Sequence, residues 1–77
     1  MKLFGYSKEN GKVDTPIELS EITLCSNAEE LRVIAKFLVD AANKMEIAAS
    51  DFEHTHLSEV LEVSQSTEII VYNEASL

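Results

Sequence analysis

The run Ser26-Asn27-Ala28-Glu29-Glu30-Leu31-Arg32-Val33-Ile34-Ala35-Lys36-Phe37-Leu38-Val39-Asp40-Ala41-Ala42-Asn43-Lys44-Met45 sets the architecture of this chain. Ser26-Asn27-Ala28-Glu29 fits a capping box, in which Ser26 accepts from the amide of Glu29 and the Glu29 carboxylate reaches back, so a helix is predicted from about residue 27. At about 100° per residue, Leu31, Ile34, Ala35, Leu38, Ala41, Ala42 and Met45 share one arc, with Arg32, Lys36, Asp40 and Asn43 opposite. That arc is the expected core face. Val33 and Phe37 do not fit it; they form an i, i+4 pair on the flank, left over for self-association or partner binding. The tail Ile47-Ala48-Ala49-Ser50 is weakly specified and is expected to fray.

Strand signals lie on both sides. Upstream, Leu3, Phe4 and Tyr6 read as a first strand ending in a polar turn with Asn10-Gly11. Pro16 marks where the next strand can begin. From Ile17 to Cys25 the apolar parity changes midway, Ile17 and Leu19 against Ile22 and Leu24, which implies either a bulge near Ser20-Glu21 or a strand covered on both faces. Downstream, Asp51 to His56 reads as a loop, Leu57 to Val63 as a short helical turn, and Ile69-Ile70-Val71-Tyr72 as a strand with two covered faces or a shared edge. The expected fold is a single α+β domain over residues 1–77, one central amphipathic helix packed on a small, mainly antiparallel sheet of three to four strands.

Six basic side chains against fourteen acidic ones give a net charge of -8, which argues against nucleic acid or an anionic membrane as partner and favours a basic protein. The imbalance is concentrated: Glu46, Asp51, Glu53, Glu59, Glu62, Glu68 and Glu74 occupy a half of the chain with no Lys or Arg. A solvated face explains this as readily as a binding surface does. A lone Cys25 rules out an internal disulfide and reads as a small buried apolar residue. With no signal-like start and no apolar run of spanning length, the expected compartment is the cytoplasm.

Little in the sequence points to catalysis. Cys25 has no activating neighbour in sequence, and a thiol buried in a strand is inert; a pairing in space with His54 or His56 is the one arrangement that would change this. No phosphate-cradling motif occurs. Asp51-x-Glu53-His54-x-His56 is the only cluster resembling a metal site, with Asp51, His54 and His56 its first candidates and Glu53 or a residue of another chain as a further ligand, because His-x-His on an extended backbone can aim two imidazoles the same way. Two imidazoles and a carboxylate do not complete a tetrahedral set, and imidazoles that cap a helix end or face a partner account for the same residues. No metal is favoured, and no cofactor is expected.

The Ile17-Glu18-Leu19-Ser20-Glu21-Ile22-Thr23-Leu24 segment, the capped helix start Ser26 to Leu31, and the loop Asp51-Phe52-Glu53-His54-Thr55-His56-Leu57-Ser58 resemble a small bacterial immunity-protein family of polymorphic toxin systems. The resemblance covers most of the chain and rests mainly on the capped helix and the Phe-x-His-x-His-Leu pattern. It implies a non-enzymatic protein that neutralises a cognate toxin by direct binding, without a cofactor, and it carries Phe52, His54 and His56 over as important positions without assigned roles. With the acidic surplus and the helix flank, the expected partner-binding residues are Phe52, Glu53, His54, His56, Glu59, Glu62, Val33 and Phe37. Two alternatives stand beside this: a small structural or scaffolding homodimer, joined through the last strand or the Val33/Phe37 flank, and a metal-binding protein using the His54/His56 loop.

Overall fold

The computed structural model describes residues 1–7, 15–61 and 67–77. In chain order the elements are β1 (Leu3–Gly5), β2 (Ile17–Leu19), α1 (Ala28–Ala48), β3 (His54–His56) and β4 (Ile70–Tyr72), with single 3-10 turns at Ala49–Asp51, Leu57–Glu59 and Glu74–Ser76. The fold is α+β, with its strands antiparallel. They form two separate pairs, β1 with β2 and β3 with β4. The expected Asn10-Gly11 turn and Val63 lie outside the described residues.

The helix begins one residue later than the capping pattern predicts. Asn27 is the N-cap, its side-chain oxygen accepting from Glu30 N–H at 2.8 Å, and the Ser26 hydroxyl donates to the Glu30 carboxylate. Asn27 thus caps the Glu30 amide as Ser26 would have capped Glu29, and Asn and Ser are equally good N-cap residues, so the shift costs the helix start little. At the other end the tail does not fray: the helix runs to Ala48 and stops at Ala49, whose φ of 49° and ψ of -130° turn the chain sharply.

The helix face is rotated from the predicted one. Phe37 and Ala41 are buried, and Val33, Ile34 and Met45 are half-buried, whereas Leu31, Ala35, Leu38 and Ala42 are exposed. Phe37, expected on a free flank, is 4% exposed, while Leu31 and Leu38, expected in the core, are 41% and 47% exposed. The cause is the connection that follows. Only the turn Ala49–Asp51 and two further residues separate α1 from β3, so β3 starts close to the helix exit and its Thr55 comes beside Phe37 and Ala41. On that side the largest side chain is Phe37, and with Ala41 and Thr55 it lines a half-open groove of about 230 Å3.

Two upstream expectations also change. β2 ends at Leu19, and Ile22 and Leu24 lie in irregular chain, 50% and 55% exposed; neither a bulge nor double coverage resolves the parity change. Cys25 is exposed rather than buried, because none of the elements described packs on this stretch. Among the described residues, the buried apolar side chains are Phe37, Ala41 and Leu57.

Candidate binding face

Residues 54–56, expected as loop, form strand β3. Its register with β4 pairs His54 with Tyr72, Thr55 with Val71 and His56 with Ile70. Alternation along a strand then divides these residues between two faces. Thr55, buried, and Val71, half-buried, face inward; His54, His56, Ile70 and Tyr72 share the outward face. Of the two alternatives expected for this strand, two covered faces or a shared edge, the first is ruled out: β4 is covered on one side only, with Ile70 53% and Tyr72 46% exposed.

The outward face is ordered by its own contacts. The His54 ring stacks on Tyr72, centroids 5.7 Å apart and planes 2° from parallel, and meets His56 edge-on at 5.1 Å. Carboxylates stand at both ends: Glu53 Oε1 lies 3.0 Å from His54 Nδ1, and Glu68 Oε2 lies 3.6 Å from His56 Nδ1. Glu68 is also a clamp. Its Oε1 accepts from the N–H groups of Ser58 and Ile69, both at 3.0 Å. The Ser58 hydroxyl bond is the largest influence on its carboxyl; slight burial opposes it, the two N–H bonds and His56 reinforce it, and the net effect lowers the pKa.

The scaffold beneath this face hangs on Asn73, a residue without any sequence cue beyond its place at a strand end. Its N–H donates to Glu53 O at 2.7 Å. Its side-chain amide donates to the carbonyls of Ala49 and Phe52, both at 2.8 Å, and its side-chain oxygen accepts from Ala75 N–H at 3.2 Å. One buried side chain thus joins the helix exit, the start of β3 and the C-terminal turn. The Ser76 hydroxyl adds contacts to Ser50 O and Phe52 O, each at 2.9 Å.

Of the residues expected to bind a partner, Glu53, His54 and His56 come together on the outward face. Phe52 is half-buried at the end of the Ala49–Asp51 turn. Glu59 accepts from the Thr55 hydroxyl at 3.1 Å and borders the groove on the helix side. Glu62 lies outside the described residues. Val33 is half-buried and Phe37 buried, so this pair is not a free flank. Among the described residues no three His, Cys, Asp or Glu side chains are grouped closely enough to hold a metal ion, and Asp51 sits on the helix-exit turn, outside the ring cluster. Ile70 and Tyr72 join the face through the β3–β4 register, which only the pairing reveals. No described helix is long and apolar enough to cross a membrane. Compared with known proteins, the chain matches no family model, no curated protein and no solved structure.

Proposed function

We propose that this domain is a non-enzymatic protein-binding module, an immunity protein that neutralises a bacterial toxin by direct binding. The observation that carries this reading is the outward face of β3–β4. It sets exposed Ile70 and Tyr72 beside two imidazoles, His54 stacked on Tyr72 and His56 edge-on to His54, with Glu53 and Glu68 at its ends and no Lys or Arg anywhere from Glu46 to Leu77. Aromatic and aliphatic side chains ringed by polar groups are what supplies affinity at protein interfaces. Carboxylates unopposed by cations accelerate encounter with a basic partner and repel acidic ones. Toxins that attack nucleic acid carry basic surfaces to hold phosphate, and a face of this charge competes for the same surface. The Phe52-x-His54-x-His56-Leu57 pattern, which resembles the immunity-protein family, falls on this part of the fold.

The test is growth of a bacterial host expressing each toxin encoded beside this gene, with and without the chain. The expected result is rescue from one of them. If the chain protects against none while remaining folded and abundant, the immunity reading is wrong.

A further inference from the structure

The sequence holds two histidines, and the fold brings both to one place. On the extended backbone of β3 they stand two residues apart, which puts both side chains on the outward face. Their ring centroids lie 5.1 Å apart, with 67° between the planes. Two imidazoles that share one tetrahedral ion, each nitrogen about 2.0–2.1 Å from it, have centroids about 5 Å apart. The observed spacing matches that of a chelating pair.

The surroundings prepare both rings for this. Glu53 faces His54 Nδ1 at 3.0 Å and Glu68 faces His56 Nδ1 at 3.6 Å. A carboxylate beside one ring nitrogen favours the tautomer protonated there and leaves the lone pair on Nε2, the pairing by which metal-bound histidines are oriented. Glu68 is itself held by the N–H groups of Ser58 and Ile69, and stacking on Tyr72 holds the His54 ring. With no Lys or Arg from Glu46 to Leu77, the local field favours a cation. The geometry points to His54 and His56 as a two-imidazole site for a divalent transition metal such as Zn2+, bound through both Nε2 atoms. Glu53 and Glu68 orient the rings, and water fills the remaining positions. Nitrogen donors select this class of ion over Mg2+ and Ca2+, which take oxygen. Among the described residues no third His, Cys, Asp or Glu closes the site, so the ion keeps open positions. The site does not depend on the toxin-binding reading, because it is formed and tested in the chain alone.

The experiment is a calorimetric titration of the full, untagged chain with ZnCl2, followed in parallel by proton NMR of the imidazole ring signals. The expected result is uptake of Zn2+ with the ring signals of both histidines shifting together, and no uptake of Mg2+ under the same conditions. His54→Ala with His56→Ala abolishes the uptake while the helical circular dichroism is unchanged. The proposal is overturned if the native chain takes up no Zn2+, if one ring or neither responds, or if the double variant binds as the native chain does. Should that variant fail to fold, the two ring signals of the native chain still decide the outcome.

Discussion

At the residue scale, three side chains set the local geometry that presents the outward face, and each gives a measurable consequence. Ala49 holds a positive φ of 49°, a region costly for any residue with a Cβ and open to glycine. Ala49→Gly should therefore raise stability by about 1 kcal/mol, after allowing for the greater freedom of glycine in the unfolded chain, read as a higher urea midpoint. Asn73 spends its amide on two carbonyls that no other described side-chain amide reaches. Asn73→Ala should cost about 2 kcal/mol, the sum expected for losing two hydrogen bonds of ordinary net strength. Asn73→Asp should cost at least as much, because it sets a carboxylate oxygen against those same carbonyls; equal stability of Asp and Asn at neutral pH would refute this account of the joint. Glu68 makes a pH prediction. Its pKa is lowered in the folded state from an ordinary 4.5, so its contribution is full above that value and is lost as pH falls through the depressed one. Unfolding of the native chain between pH 5 and pH 3 should show this acid loss, and Glu68→Gln should flatten it.

At the scale of elements, the helix shows what was legible in the sequence and what was not. Its existence, its approximate start and the presence of β4 followed from the capping residues, the apolar spacing and the β-branched run Ile69–Val71. Which arc faces inward did not. The helix is apolar over too wide an arc for periodicity to choose a side, and the choice falls to the short connection from Ala48 to His54, which brings Thr55 of β3 onto the Phe37 and Ala41 side. The β3 strand is hidden in the sequence because a three-residue His-Thr-His run holds a single β-branched residue, and its pairing with β4 defines it. Part of the candidate site was therefore visible as a His-x-His pattern, while Ile70, Tyr72 and the Asn73 joint depended on register. The rotation has a direct consequence. Phe37→Ala should cost about 3 kcal/mol or more through the cavity it leaves, and Val33→Ser with Phe37→Ser should abolish folding rather than only alter association. Circular dichroism melting of the two variants checks this.

At the scale of the whole molecule, the balance of burial and exposure is the main fact. Among the described residues, three apolar side chains are buried, a small core for a 77-residue chain. Anything that binds only the folded form adds stability by mass action, so stability should rise when a partner covers the outward sheet face. Binding through the acidic face of β3–β4 should slow in association as ionic strength rises.

The claim on which the functional reading turns is that Ile70 and Tyr72, on the outward face of β3–β4, hold the partner. Its most direct test is the affinity of the chain for a toxin against which it rescues growth, should the proposed reading hold, measured by calorimetry for the native protein and for Ile70→Ser with Tyr72→Ala. The prediction is a loss of about 100-fold or more, the scale on which central apolar and aromatic contacts act, with the helical circular dichroism unchanged. An affinity equal to that of the native chain would contradict it.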